Sequence, residues 1–364
     1  MNGASTGPQP GQRLSLFTGA DARGQDDSQG ISRGMTLPDF YAAYVLPIVR
    51  RLSSPKTIEQ DRNALRRWAE LTPNPALDAI DDALAADFVD ALAARTTRRG
   101  TIISPNTVRK TCTHLQLILD CAGPKTRRRR RTAQLLDAAR VPYFERPPES
   151  HEEPSDIYTL DEIGLWLDAC STARRSMSLP WFNAARSARW WRALVIFAYN
   201  TGLRIETTMG ATWDMIDRDP GRPGWMIVPA AIAKGQRGGR YYVNRAARAA
   251  IESLGTKGAD GGQGNLFPWR GWPRSATWLH ASRRNIQSRS QLPPARRIGF
   301  HGLRKALATW LAARNPMVAS IVLGHRGGVT QRHYVDPVIV AELLEQVPQP
   351  PVQCSQDARQ PLLF

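Results

Sequence analysis

Residues 301–334 read HGLRKALATWLAARNPMVASIVLGHRGGVTQRHY, and their spacing carries more information than any other part of the chain. His301 and Arg304 are three residues apart, which places both on one face of a helix. His325 and Tyr334 follow in the same stretch. A guanidinium binds two phosphate oxygens at once, and a phenol can serve as an oxygen nucleophile. The stretch therefore predicts a site that holds a phosphodiester, with cationic side chains in the place of a metal ion.

The composition indicates a soluble protein that binds a polyanion. The chain has 364 residues, enough for two domains, and a formal net charge of +17. An excess of this size most often matches nucleic acid. The four cysteines are scattered without metal-ligand spacing, which favours a reducing cytosol. No signal peptide is recognisable, and no apolar run reaches the ~20 residues that cross a bilayer. We expect a cytoplasmic protein with no membrane partner.

Breaks in the hydrophobic pattern divide the chain into five parts. Residues 1–35 are polar and rich in turn-forming residues, which predicts a flexible tail. A helical domain over residues 36–147 is followed by an acidic, proline-rich linker at 148–155. A second domain over residues 156–347, mostly α with a small sheet, precedes a polar tail at 348–364. The expected fold class is α+β.

Polar residues followed by proline mark helix starts in the first domain. Ser54 with Pro55 and Ser104 with Pro105 fit the N-cap and the first helical position. Two further segments, residues 37–49 and 78–95, have helical spacing of their apolar residues, so four helices are predicted.

The second domain shows the same kind of signal. Thr159 and Glu162 form a capping-box pattern. Residues 190–213 predict a buried helix, a Thr-Gly turn and another helix, and residues 225–244 predict two strands joined by a basic, glycine-rich turn. Further helices are predicted at residues 245–254, 276–289, 301–314 and 336–347.

A second arginine is expected near Arg304, because a phosphorus transition state carries negative charge on more than one oxygen. Arg204, in NTGLRIET, is the best candidate, since it follows a glycine turn after a buried helix. The alternative is an arginine that extends from a helix start into solvent.

These motifs together resemble the tyrosine recombinase, or phage integrase, family. TGLR with Arg204, HGLR with His301 and Arg304, and LGH with His325 nine residues before Tyr334 match its pattern in order and spacing. The resemblance covers residues 36–347 and is stronger in the second domain. It implies an N-terminal helical core-binding domain of the SAM-like type and a C-terminal catalytic domain.

The resemblance also implies a role for each residue. Tyr334 is the expected nucleophile, which forms a 3′-phosphotyrosyl bond. Arg204 and Arg304 are expected to bind the non-bridging oxygens, with a further hydrogen bond from His325. His301 is expected to assist as a base near the tyrosine.

The family places its general acid, a lysine, in a β-hairpin turn. Lys234 lies in such a turn, and Lys257 is the fallback. The sequence departs from the family at the position three residues after the first arginine, which is usually acidic and here is Thr207. Either the neighbouring Glu206 takes over its supporting role, or Arg204 is held differently.

The first domain is expected to contribute DNA binding rather than chemistry. Helix N-termini with adjacent cations bind phosphate readily. The candidates at the two Ser-Pro helix starts are Lys56, Thr57, Asn106, Thr107, Arg109 and Lys110. For each of them a solvated helix face is the alternative. The basic run from Lys125 to Arg131 is either a solvated loop or a further phosphate contact.

The predicted function is that of a site-specific DNA recombinase, an integrase, acting for a mobile element. The phosphotyrosyl bond stores the energy of the cleaved bond, so neither a nucleotide cofactor nor a metal ion is expected. The alternatives are an inactive or accessory DNA-binding protein of the same fold and a type IB topoisomerase-like enzyme.

The resemblance implies several partners for the chain. They are double-stranded DNA recombination sites in the nucleoid, three further copies of the chain in a tetramer on DNA, and accessory DNA-bending or directionality factors. The C-terminal helix, Val338 to Val347, is predicted either to dock on a neighbouring copy or to pack on its own domain.

Overall fold

The computed structural model describes residues 31–97, 100–126, 131–148, 157–173, 184–233, 238–255, 264–324 and 336–351. The chain divides into two compact units, of which the first ends at His151 and the second begins at Glu152. Each unit has a hydrophobic core of its own. The sheet in the described part of the chain has two strands, and the remaining elements are helices. This confirms the predicted fold class, mostly α with a small sheet.

The first unit is built from helices that begin at polar caps. The Ser54 hydroxyl accepts a hydrogen bond from the Thr57 amide at 3.2 Å, and the Ser104 hydroxyl accepts one from Thr107 at 3.3 Å. Both predicted N-caps are therefore confirmed. The helices are α1 (Leu37–Phe40), which continues as a π-helix (Tyr41–Val49), α2 (Pro55–Leu71), α3 (Asp82–Ala94) and α4 (Pro105–Ala122), with 3₁₀ turns at Leu77–Ala79 and Ala138–Arg140.

A buried carboxylate links three of these helices. Asp61 on α2 is fully buried, and Arg50 binds both of its oxygens, at 2.6 and 2.9 Å. The His114 ring on α4 lies 2.6 Å from the same carboxylate, and the Tyr41 hydroxyl reaches it at 3.4 Å. Because the charge is matched and hydrogen-bonded, it can remain in the core beside Trp68.

The second unit is organised around one long helix. Its elements are α5 (Leu160–Ala169), α6 (Ala184–Thr201), α7 (Ile205–Gly210), β1 (Trp225–Val228), β2 (Gly239–Tyr242), α8 (Arg245–Glu252), α9 (Ala276–Ser288), α10 (Phe300–Ala312), α11 (Pro316–Val322) and α12 (Pro337–Glu345), with 3₁₀ turns at Cys170–Thr172, Trp213–Met215, Ala230–Ile232 and Pro294–Arg296. The α6 helix packs against α8 and α10. Its Trp190 and Phe197 pack against Phe267 in the core, with ring centroids 5.9 and 5.3 Å apart. The predicted capping box of Thr159 and Glu162 is present.

The two strands form an antiparallel hairpin in which Trp225 pairs with Tyr242 and Val228 with Gly239. The turn after α6 also agrees with the expectation from the sequence, since Gly202 has a positive φ of 61°. Glycine adopts this conformation without the steric cost that a Cβ imposes. A Cβ at this position would also lie 3.0 Å from the Leu307 side chain on α10.

The C-terminal helix packs on its own unit. Val340, Leu344 and Val347 are buried in the core of the second unit. The Asn244 side chain donates a hydrogen bond to the Leu344 carbonyl at 2.7 Å. Residues 348–351, which the sequence assigned to the tail, continue this packing, and the Tyr199 hydroxyl donates to the Pro348 carbonyl at 3.1 Å.

None of the described helices combines the length and the apolar character that crossing a bilayer requires.

Candidate active site

The α10 helix places two of the predicted site residues. Its inner face buries Leu303, Leu307 and Leu311. Arg304 lies at the edge of this face and is only 4% exposed, whereas His301, one turn earlier, is exposed. An arginine that is this deeply buried needs hydrogen-bond acceptors, because an unpaired buried charge is costly.

Backbone carbonyls supply those acceptors to Arg304. Its Nη1 donates to the carbonyl of Gly202, and its Nη2 donates to the carbonyl of Leu323. Gly202 lies in the turn after α6, and Leu323 follows α11. The guanidinium therefore joins α10 to two other segments of the unit and is held in a fixed orientation. Both acceptors are neutral, so its positive charge is not balanced by them.

Arg204 lies close enough to Arg304 to affect its titration. Burial is the main cause that lowers the pKa of Arg304, and the nearby charge of Arg204 lowers it further, to about 10. Arg304 is still cationic at neutral pH. In the described part of the chain, the Arg204 side chain has no hydrogen bond or ion pair with another residue. Two like charges next to each other without a carboxylate favour the binding of an anion between them.

The backbone of Arg204 is fixed even though its side chain is not paired. Arg204 is the N-cap residue of α7, with an extended conformation. Its carbonyl accepts hydrogen bonds from the amide of Thr208 at 2.9 Å and from the hydroxyl of Thr208 at 3.2 Å. The backbone that carries this partly exposed guanidinium is therefore held in place.

The structure also shows what occupies the usual acidic position. Thr207 is buried, and its hydroxyl lies 3.4 Å from the carbonyl of Ile232, in the segment before the hairpin turn. Glu206 is exposed and forms no ion pair with another described residue. Of the two possibilities that the sequence left open, the contacts favour a differently held Arg204.

One residue near Arg304 was missed by the sequence reasoning. Tyr241, on β2, contributes to the electrostatic surroundings of Arg304. Its hydroxyl lies 3.7 Å from the position that a Cβ on Gly324 would occupy. A second phenol is therefore close to the arginine and to the segment that leads to His325. Its place in a predicted strand gave no signal of this, since the contact depends on how the hairpin packs.

Three of the predicted catalytic residues, Lys234, His325 and Tyr334, lie outside the described residues, and so does the fallback Lys257. The described chain reaches Ala233 on one side of the hairpin turn and Gly324 before the predicted histidine. The structure thus brings together Arg204 and Arg304. No group of three or more His, Cys, Asp or Glu side chains arranged to hold a metal ion occurs among the described residues.

The predicted DNA-binding residues of the first unit lie at the starts of α2 and α4. Lys56, Asn106 and Lys110 are exposed. Thr57 and Thr107 are half-buried, and their hydroxyls lie 2.9 and 3.0 Å from those of the capping serines. The two threonine hydroxyls are therefore less available for DNA than the exposed charged side chains near them.

Arg109 is half-buried, and its side chain is partly engaged within the first unit. Its Nη1 donates a hydrogen bond to the Pro147 carbonyl at 3.2 Å. The structure thus divides the six candidates into three exposed residues and three that are partly engaged within their own unit.

Two arginines that meet without a balancing carboxylate among the described residues favour the binding of an anion such as phosphate. Residues 178–338 match the model of the phage integrase family. This match covers less than half of the chain, within the second unit, and makes that part similar to the phage integrase, or tyrosine recombinase, family. A comparison with curated protein sequences found no match.

Solved structures show the same fold over most of the chain. A lambda integrase tetramer bound to a Holliday junction has a TM-score of 0.55 at 15% identity, with 89% of this chain and 86% of that chain covered. A lambda integrase dimer bound to a COC′ core site has a TM-score of 0.54 at 16% identity, with coverages of 83% and 96%. The Tn1549 transposon integrase in complex with transposon right end DNA has 0.51 at 17% identity, with coverages of 85% and 98%.

Proposed function

We propose that this protein is a site-specific DNA recombinase that cleaves and rejoins strands through a 3′-phosphotyrosyl intermediate. The observation that supports this most directly is the pair Arg204 and Arg304, two adjacent guanidinium groups without a carboxylate partner in the described part of the chain. A phosphodiester placed between them provides the negative charge that the pair lacks. The similarity of residues 178–338 to the phage integrase family supports the choice of reaction.

In this proposal Tyr334 is the nucleophile. Its oxygen bonds to phosphorus while the bond between phosphorus and the 5′ oxygen breaks. A free phenol titrates near pH ~10, so it needs help at neutrality. His301 accepts the phenolic proton, and Lys234 gives a proton to the departing 5′ oxygen. Rejoining is the same reaction in reverse, with a 5′ hydroxyl as the nucleophile, and it consumes no cofactor.

The charge that develops on the non-bridging oxygens is stabilised by fixed cations. Arg204 and Arg304 bind these oxygens, and His325 adds a hydrogen bond. Donors that are already in place stabilise a transition state without reorganisation, and loss of one such donor costs ~10²–10³ in rate. The support for this step is the carbonyl-anchored orientation of Arg304 and the capping position of Arg204.

The first unit serves in DNA binding in this proposal. Lys56, Asn106 and Lys110 contact phosphates at the starts of α2 and α4, with smaller contributions from Thr57, Thr107 and Arg109. One of the similar structures is a lambda integrase tetramer bound to a Holliday junction. We propose the same assembly for this chain, four copies on two recombination sites in the nucleoid, on behalf of a mobile element and aided by accessory DNA-bending or directionality factors.

The test is the trapping of a covalent adduct. Nicked duplexes that carry a randomised sequence, in a buffer with EDTA, are incubated with the full chain, and DNA that stays attached to denatured protein is sequenced. A nick lets the short cleaved strand diffuse away, so the phosphotyrosyl bond cannot be reversed. We expect an adduct from the wild type and none from Tyr334→Phe.

The matched control is Tyr241→Phe, which removes a phenol that the structure places near Arg304. It should retain the adduct. An adduct that is lost in Tyr241→Phe and retained in Tyr334→Phe contradicts the assigned nucleophile. DNA binding by the wild type without any adduct favours the accessory DNA-binding protein. If the wild type forms the adduct, relaxes supercoils as a monomer and never exchanges strands, the topoisomerase-like alternative is favoured.

A further inference from the structure

Three side chains converge on one backbone carbonyl just before α10. The Ile298 carbonyl accepts hydrogen bonds from the Tyr158 hydroxyl, from Arg283 Nη1 at 2.6 Å and from Gln287 Nε2 at 3.1 Å. A carbonyl oxygen has two lone pairs, so three donors are more than its ordinary complement. The carbonyl lies two residues before Phe300, where the helix that carries His301 begins.

The donors also bind one another. Gln287 Nε2 donates to the Tyr158 hydroxyl at 2.8 Å, and Arg283 Nη1 donates to Gln287 Oε1 at 2.6 Å. All three side chains are buried, with exposures of 3% for Tyr158, 8% for Arg283 and 0% for Gln287. A linked, buried network of this kind fixes its members more firmly than isolated bonds do. We call Tyr158, Arg283 and Gln287 the carbonyl clamp.

The carbonyl clamp contains a buried cation that is not paired with a carboxylate among the described residues. The Arg283 guanidinium is held by an amide oxygen and a backbone carbonyl, both neutral. Burial lowers its pKa. Desolvating a charge in this way is unfavourable unless other interactions offset it.

The carbonyl clamp is not needed merely to attach the loop before α10 to the rest of the unit. Two residues before Ile298, Arg296 forms a two-pronged ion pair with Glu162, at 2.6 and 2.7 Å. The loop before α10 is thus already tied to α5. The additional bonds of the clamp act at the helix start itself, where Gly299 is the N-cap and provides no side-chain cap.

Tyr158 also contacts the helical turn that carries His301. A Cβ on Gly302 would lie 2.9 Å from the Tyr158 ring and 2.6 Å from Ile298 Cδ1. Glycine at this position therefore allows the tyrosine ring to lie directly against the first turn of α10. His301 is the residue immediately before this glycine.

We infer that Tyr158, Arg283 and Gln287 are positioning residues for His301. The clamp fixes the segment that leads into α10, and with it the position from which the His301 imidazole acts as a base. This inference rests on the proposed recombinase function. It assigns no direct substrate contact to the three residues.

The experiment compares Tyr158→Phe with Tyr199→Phe in the full chain. Both substitutions remove a hydroxyl that donates to a backbone carbonyl in the second unit, Ile298 in one and Pro348 in the other. Single-turnover cleavage of a nicked duplex isolated by the adduct screen is measured from pH 5 to 9. Misplacement of a catalytic group by ~1 Å costs up to ~100-fold, so we expect Tyr158→Phe to be ~10-fold to 100-fold slower, with a changed pH profile. Tyr199→Phe should resemble the wild type.

The same pair is then placed in a His301→Ala background. If the clamp acts through His301, Tyr158→Phe causes no further loss there. A loss of equal size in both backgrounds, or an equal loss in Tyr199→Phe, overturns the inference. Arg283→Lys retains one donor for the Ile298 carbonyl, so it should keep part of the wild-type cleavage rate. This variant replaces Tyr158→Phe in the comparison if Tyr158→Phe does not fold.

A measurement without DNA separates this inference from the proposed function. The imidazole signal of His301 is followed in an NMR pH titration and is identified by its loss in His301→Ala. Relative to the wild type, this signal should shift in Tyr158→Phe and should be unchanged in Tyr199→Phe. If the wild type forms no adduct, the proposed function fails. If the wild type forms the adduct but the His301 signal is the same in all three proteins, only the positioning inference fails.

Discussion

At the scale of single residues, the two arginines of the candidate site differ in what holds them. Arg304 is buried and bonded to two carbonyls, so it contributes to folding as well as to the site. Arg204 is partly exposed, has no side-chain partner among the described residues and lowers the pKa of Arg304 by repulsion. Residues of this kind are often retained for function at a cost in stability.

Arg204→Ala should therefore separate stability from activity. It removes a repulsion and breaks no described side-chain bond, so the midpoint of thermal unfolding should stay the same or rise. Adduct formation should fall by ~100-fold or more, since a transition-state donor is lost. Thermal unfolding measures the midpoint, and the trapping assay measures adduct formation. A clear drop in the midpoint would show that Arg204 has a structural partner.

Arg304→Lys should behave in the opposite way. Lysine has a single ammonium group and cannot reproduce a planar fork that bonds two carbonyls. Leaving a buried carbonyl without its donor costs ~1–3 kcal/mol, so the unfolding midpoint should fall together with adduct formation. Arg248→Lys, at a surface pair with Asp217 2.9 Å away, is the control and should change little. Normal stability with normal cleavage in Arg304→Lys would contradict the assigned geometry.

The sequence predicted these arginines but not their surroundings. TGLR and HGLR indicated Arg204 and Arg304 through their spacing alone. The acceptors of Arg304, by contrast, are 102 residues before it and 19 residues after it, and a carbonyl leaves no mark on the sequence. The contact of Thr207 with Ile232 and the place of Tyr241 depend on packing in the same way.

At the scale of elements, local signals predicted most helices. Polar caps followed by proline indicated the starts of α2 and α4. The same pattern, Asn315 with Pro316, begins α11, a helix that the sequence reading did not separate from its neighbours. The π-helical segment Tyr41–Val49 was expected as an ordinary helix. It contains Pro47, which has no amide hydrogen to donate and therefore disturbs regular helical bonding.

The exposed face of α9 carries the next prediction. Trp278 is 58% exposed, and Arg274 and Arg284 are exposed near it. A tryptophan with arginines near it in the sequence suits contact with DNA, because the cations bind phosphates and the ring adds apolar contact. Trp278→Ala should weaken the binding of a random-sequence duplex by ~10-fold, the equivalent of ~1.4 kcal/mol. Fluorescence anisotropy at low and high salt measures the change.

The control for Trp278 is an aromatic side chain of equal exposure. Tyr143 is 59% exposed and lies next to the acidic Glu145. Tyr143→Ala should bind DNA as the wild type does, because Glu145 offsets part of the charge of Arg140 and Arg146, whereas no acidic residue lies within ten positions of Trp278. Equal losses in both variants, or no loss in Trp278→Ala, would remove α9 from the DNA-binding surface.

At the scale of the whole molecule, the positive charge is concentrated in one part of the chain. Residues 261–335 contain twelve lysines and arginines and no aspartate or glutamate, against a net charge of +17 for all 364 residues. Composition alone indicated a polyanionic partner. The stretch includes α9, α10 and α11, which places much of this charge in the unit that carries Arg304.

The two units also differ in the ion pairs of their cores, which gives a prediction about acid. In the first unit, burial raises the pKa of Asp61, but hydrogen bonds from His114 and Arg50 outweigh this and hold it below its ordinary value of 3.8. A carboxyl whose pKa is lower in the folded state stabilises the fold above its ordinary pKa. This contribution is lost as the pH falls below 3.8 through the lowered folded value.

Because each unit has its own core, we expect unfolding of the full chain to show a transition for each. Asp61→Ala leaves Arg50 and His114 without their partner, and breaking a buried pair costs ~3–5 kcal/mol. One transition should therefore fall sharply at pH 7 in differential scanning calorimetry, while the other stays. As the pH falls below 3.8, the wild-type transition should approach that of the variant. Glu59→Ala, on the same helix but exposed, is the control and should leave both transitions in place. If Asp61→Ala lowers both transitions equally, the two units unfold as one and the carboxylate stabilises the whole molecule.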